Sequence, residues 1–151
     1  MSSTTEVLAA SKAFYAALNR MAQGDATAMA SVWATQGCTT AQHPIGGRDT
    51  GYETIISSFA RVAGIAGGGE IRLVDQTIEA GTDMAVETGV EVGTLVIAGH
   101  EATLDHRVTN VYCLQDGAWK LMHHHTDTSP GMLDILERLA ADAPATQTAA
   151  S

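Results

Sequence analysis

Near Glu70 the spacing of apolar residues changes, and that change decides the architecture. Before it, Val7, Leu8, Ser11, Phe14, Leu18 and Met21 recur at three and four residues, the repeat of a helix with one buried face, and Gly24 ends the run. Beyond it the repeat is two, which predicts strands over 70–80, 84–97, 102–114 and 118–126, with turns at Gly81-Thr82-Asp83, Ala98-Gly99 and Asp116-Gly117. Helices followed by consecutive strands imply an α+β domain: a curved, cone-shaped antiparallel sheet with the N-terminal helices packed on its concave face.

Local signals fill in the rest. Asp25 caps a short second helix through Met29, Val32 and Trp33, and a β-like stretch over 38–42 runs into His43-Pro44 and a Gly46-Gly47 turn. Thr50 with Glu53 reads as a capping box for a third helix carrying Ile55, Ile56, Phe59 and Val62. The glycine-rich stretch 64–69 reads as a flexible loop without the strand and helix that a nucleotide-binding loop requires. Ser129-Pro130 opens a C-terminal helix over 131–141 whose Met132, Leu133, Ile135, Leu136 and Leu139 form an apolar stripe. The expected organisation is one domain over 6–130, this helix, and a disordered tail over 142–151 rich in alanine and threonine.

A formal charge of −9, from 17 acidic and 8 basic residues, repels phosphate backbones and anionic lipid, so neither nucleic acid nor membrane is an expected partner. Neither a leader-like N-terminus nor an apolar run of spanning length is seen, and a cytoplasmic protein is the expectation. Cys38 and Cys113 lack metal-type spacing and read as buried free thiols.

The chemistry concentrates at His123-His124-His125, at the end of the last strand. Alternation sends His124 and Thr126 to one face and His123 and His125 to the other, where a subunit interface would lie. Imidazoles on a pocket wall supply acid–base chemistry near neutral pH. A metal at His123 and His125 would need further ligands that the spacing does not supply, so neither metal nor cofactor is expected. His100 and His106 read as solvated, and Glu87 and Glu91 as a solvated or interface face on which Arg107 pairs across strands. Asn110 faces His123 if the last hairpin turns on two residues and lies on the His124 face if it turns on three with a glycine bulge; the second arrangement is adopted.

The chain resembles the nuclear transport factor 2-like superfamily, which includes ketosteroid isomerase, SnoaL-like cyclases and the association domain of calcium/calmodulin-dependent kinase. Tyr15-Ala16-Ala17-Leu18-Asn19 with Gly24-Asp25 is similar to the first helix and turn of the isomerases, and Thr109-Asn110-Val111-Tyr112, Asp116-Gly117-Ala118-Trp119 and the histidine run are similar to the last hairpin of the association domain. The resemblance implies that Tyr15 donates to a developing oxyanion and that His43 stands where the isomerases place their base. The isomerases' second, protonated acid has no counterpart, because Asn110, Val111 and Tyr112 occupy its stretch. The histidine run is also similar to the His-His-His-Ser-Ser signature of metal-free iota-class carbonic anhydrases, with Thr126 and Asp127 in place of the serines.

The leading expectation is a small-molecule pocket of the SnoaL-like type, an isomerase, cyclase or dehydratase acting by metal-free proton transfer. His43, Tyr15 and His124 are the candidate catalytic residues. Asn110, Thr126, Trp33, Tyr112 and Phe59 are the candidate ligand contacts, although Trp33 and Phe59 read first as core residues. The competing class is a non-catalytic homo-oligomeric ligand-binding module, with a carbonic-anhydrase-like lyase as a minor alternative. A small-molecule ligand and a homodimer or larger homo-oligomer are the expected partners.

Overall fold

The computed structural model describes residues 2–143. Helix α1 (Ser3–Ala22) starts where the Ser2 side chain accepts the Thr5 N–H, four residues ahead of the periodic apolar run. It buries Val7, Phe14, Leu18 and Met21 against the sheet, each such side chain contributing roughly 1.5–3 kcal/mol. A short α2 (Met29–Val32) leads through β1 (Thr40–Gln42) and β2 (Asp49–Thr50) into α3 (Tyr52–Ala63). Asp25 closes a local turn with Thr27 and does not cap α2, whose N-cap is Ala28. The capping box is not formed either: Thr50 is used in β2, and Gly51, at φ +96°, is the N-cap of α3.

Four long strands follow, β3 (Ala66–Ala80), β4 (Met84–Ile97), β5 (His100–Gln115) and β6 (Ala118–Thr126), and the six-stranded sheet has the order β2-β1-β6-β5-β4-β3. The long strands pair antiparallel as expected, but β1 runs parallel to β6, setting Thr40, Ala41 and Gln42 beside His123, His124 and His125. The glycines over 67–69 are not a free loop, because they open β3 and Gly69 pairs with Leu95. Two glycines let the sheet curve. A Cβ on Gly93, at φ +137°, would lie 1.9 Å from the Glu70 carbonyl oxygen, and one on Gly69 would lie 2.3 Å from that of Thr94. Asn19 of α1 clamps the adjoining backbone, donating to the Ile71 carbonyl and accepting the Ile71 N–H.

The last hairpin turns on two residues, Asp116 and Gly117, both with positive φ, and not on three. An extra residue at Met122 then shifts the register, so Tyr112 faces Leu121 while Asn110 faces His124. Asn110 therefore reaches the expected face through a bulge within the strand instead of one at the turn.

Helix α4 (Pro130–Asp142) is capped by Ser129, whose Oγ accepts the Met132 N–H, and lies against β5. It buries Met132 and Ile135, with Leu139 half-buried against them, whereas Leu133 and Leu136 are exposed. The contact stripe is thus narrower than the sequence pattern. Asp142 lies in this helix, and residues 144–151 of the expected tail lie outside the described residues. Cys38 is exposed and Cys113 half-buried, both free, in contrast to the buried pair expected. No helix among the described residues is long and apolar enough to cross a membrane.

Candidate active site

Between the sheet's inner face and the helices lies a cavity of about 240 Å³. Leu18 and Met21 of α1, Phe59 and Val62 of α3 and Met132 of α4 form much of its apolar wall. Into this wall are set three imidazoles and two carboxylates.

The first pair stands on the segment following β1. His43 Nε2 is 2.8 Å from Asp49 Oδ2, and the His43 ring meets Phe59 edge-on. Ser58 of α3 donates to the same Asp49 oxygen. Burial works to raise the Asp49 carboxyl, but the Ser58 and His43 hydrogen bonds, aided by Arg61, outweigh it and hold the group below its ordinary range. An ionised Asp49 fixes the His43 proton on Nε2 and leaves Nδ1 bare in the neutral ring.

The second pair is deeper. His106 Nε2 is 2.8 Å from Glu91 Oε1, with side chains 2% and 5% exposed. Tyr15 donates its hydroxyl proton to the other oxygen, Oε2, at 2.8 Å. Burial raises the Glu91 carboxyl, yet its bonds from His106 and Tyr15 and the nearby His124 outweigh that, and the net shift is downward. The same burial, and then the Glu91 charge, push the Tyr15 phenol far above its ordinary value, so Tyr15 stays protonated. With Nε2–H directed at a carboxylate, His106 Nδ1 carries a lone pair, and that atom is buried without a partner.

His124 is the third imidazole. Its Nδ1 is 2.6 Å from Asn110 Oδ1. Asn110 spends its amide protons on Glu87 Oε1 and the Tyr15 hydroxyl oxygen, so its oxygen is the acceptor and His124 Nδ1 is the donor. The His124 Nε2 lone pair is therefore free. Burial first, then His43, His106 and His123, pull this ring down to about 4 against the opposing pull of Glu91, and it is neutral at pH 7.

Behind this wall Glu87, fully buried, accepts hydrogen bonds from Asn110, Tyr112 and Gln76. These neutral donors replace the water that a buried carboxylate loses.

Of the candidate residues, His43, His124 and Phe59 line the cavity. Tyr15 and Asn110 lie one layer back, bonded to groups on the wall, and Tyr112 joins them through Glu87. Trp33 packs against Phe14 and Phe59 in the core, and Thr126 is buried with an unpartnered Oγ1; neither borders the cavity. His123 bonds Thr40 and His125 bonds Gln42, away from the His124 ring.

Asp49, Glu91 and His106 are not among the expected site residues; His106 is buried, not solvated, and Glu87 and Glu91 are buried, not on a solvated or interface face. Arg107 pairs with the exposed Asp127, not with either glutamate. Strand parity carried the missing signal: Glu87 and Glu91 share the inward parity of Ala85, Leu95 and Ile97, and His106 that of Leu104 and Asn110. Among the described residues no three His, Cys, Asp or Glu side chains form a metal-ligand set.

No curated protein matches the chain. Among solved structures it is similar to a proposed dehydratase of the NTF2-like family from Streptomyces avermitilis, at 25% identity over 82% of this chain and 94% of that one, TM-score 0.72. It shares its fold with a protein of cystatin-like fold from Caulobacter vibrioides, at 16% identity over 92% of this chain and 98% of that one, TM-score 0.69. The association domain of calcium/calmodulin-dependent kinase II from C. elegans has it too, at 16% identity over 83% and 98%, TM-score 0.61. The model of the SnoaL-like domain matches residues 7–128, from the first helix to just beyond the histidine run. Most of α1, all of α2 and α3, the six strands and every cavity-lining residue but Met132 fall within that span, and the chain belongs to the SnoaL-like domain family.

Proposed function

We propose that this cavity binds a small, largely apolar carbonyl compound and moves protons on it without a metal, in an isomerisation, cyclisation or dehydration. The observation that carries the reading is the convergence of two histidine–carboxylate pairs and a neutral third histidine on one apolar cavity. In such surroundings an imidazole that accepts a proton is stabilised by the carboxylate behind it, at little cost in reorganisation. His43 Nδ1 takes a proton from the carbon next to the carbonyl, Asp49 steadies the imidazolium, and the ring returns the proton to another carbon or to a departing hydroxyl, which leaves as water. His106, backed by Glu91 and Tyr15, is the second proton acceptor, and His124 Nε2 receives a hydrogen bond from the ligand. Likeness to a proposed dehydratase supports the same class of chemistry.

Deuterium exchange tests this. In D2O the protein should exchange the α-protons of cyclohexanone faster than buffer does, and His43→Ala should remove about a hundredfold or more of that acceleration. Exchange at the buffer rate, with cyclohexanone shown by NMR to occupy the cavity, would leave a binding module in place of an enzyme.

The same reading includes a second copy of the chain. Val74, Met84 and Val86 are exposed on the outer face of β3 and β4, a patch that association with another sheet would cover. Light scattering at micromolar concentration should give a dimer or larger species, and Val86→Lys should shift it towards monomer; a monomeric wild type would refute the assembly.

A further inference from the structure

We infer that the natural ligand of the cavity is anionic, a small carboxylate whose charged end is held at the mouth by Arg48 and Arg61. This deepens the reading of the cavity as a small-molecule site and rests on it, but it does not require catalysis.

The pairing of the arginines carries the argument. The chain has six, in a molecule of net charge −9. Four are matched with surface carboxylates: Arg20 with Asp25, Arg72 with Glu70, Arg107 with Asp127 and Arg138 with Asp134. Arg48 and Arg61 have no carboxylate within ion-pair distance among the described residues, although acidic side chains outnumber basic ones about twofold. These two exposed arginines both line the cavity. Each is steadied by a hydroxyl: Arg61 donates to Ser58 Oγ at 3.0 Å, and Arg48 to Thr50 Oγ1 at 3.4 Å. Ser58 in turn donates to Asp49, so the hydroxyl that orients Arg61 also belongs to the first histidine–carboxylate pair.

The deep end has the opposite character. Glu91, whose bonds from His106 and Tyr15 hold its carboxyl below the ordinary range, is a buried anion, and the imidazoles beside it carry bare nitrogens that accept hydrogen bonds. A ligand anion is repelled from that end and attracted to the mouth, so the field both selects for negative charge and sets the direction of entry. Guanidinium is suited to this task because its planar donors match a carboxylate edge. An apolar body then fills the middle, and a hydroxyl or an acidic C–H at the far end meets the imidazoles.

The test is an NMR titration of the full chain with hexanoate and its neutral counterpart hexanamide, following the amide signals of cavity residues at low and high salt. Hexanoate should bind roughly tenfold more tightly than hexanamide and should weaken as salt screens the exposed arginines. Arg48→Gln/Arg61→Gln should erase the preference and leave hexanamide binding as it was, because both side chains are exposed and neither forms an ion pair among the described residues. Equal binding of acid and amide, a preference that survives the double substitution, or no response of the cavity to hexanoate would each overturn the inference. Equal binding inside the cavity would leave the small-molecule site standing. Conversely, failure of the ketone exchange with the hexanoate preference intact would overturn the catalytic reading alone.

Discussion

Glu91→Ala is expected to lower stability by about 3–5 kcal/mol, the usual loss when one member of a buried charge pair is removed. Glu91 is 4% exposed and joins β4 to α1 through Tyr15 and to β5 through His106. Truncation leaves the Tyr15 hydroxyl and His106 Nε2–H without their acceptor and opens a void as well. For a chain of this size the midpoint of thermal unfolding should fall by roughly 10 °C. Glu91→Gln, which retains an acceptor for His106, should cost much less, about 1–2 kcal/mol. Calorimetry decides it: an alanine variant melting within a degree or two of wild type would mean that the pair is not buried as described.

Acid should weaken the fold well before ordinary carboxylates titrate. His124 titrates near 4 in the folded protein against 6.5 for the free side chain. Between those values the unfolded chain holds a proton on this ring that the folded chain does not, so unfolding takes up a proton and falling pH favours it. The contribution is complete above about 6.5 and is lost as pH drops towards 4, amounting to about 2 kcal/mol by pH 5 and about 3 kcal/mol in full. Glu91 and Asp49, held below their ordinary values, add their own loss at still lower pH. Urea unfolding at a series of pH values reads this directly, and His124→Gln, which retains a donor towards Asn110, should flatten the curve between pH 6.5 and 4.5. A wild-type profile flat from pH 7 to 5 would contradict the placement of His124.

The order of helices and strands was legible because burial imposes different repeats on the two structures, and both repeats run clearly through α1 and through β4 and β5. The parallel pairing of β1 with β6 was not, since it joins three-residue segments far apart in the chain and leaves no local pattern. The bulge at Met122 was equally hidden: no glycine marks it, yet it determines which histidine faces Asn110. His43 stands out through the family resemblance and His124 through the histidine run, and both line the cavity. Asp49, the partner of His43, stands on a two-residue strand with no local pattern, whereas Glu91 and His106 are charged or polar residues whose parity along β4 and β5 points inward. Glu87 and Glu91 are tolerated inside only because Gln76, Asn110, Tyr15, Tyr112 and His106 supply donors from three other elements, a requirement visible only after folding.

The cavity wall keeps His124 neutral, with its proton on Nδ1 and its Nε2 lone pair free for a ligand. Nitrogen-resolved NMR of the imidazole rings across a pH series measures this atom by atom. The structure predicts that the His124 signals show protonated Nδ1 and bare Nε2 from pH 8 down to about pH 5, with titration only near 4. A ring that titrates near 6.5, or that carries its proton on Nε2 at neutral pH, would contradict it.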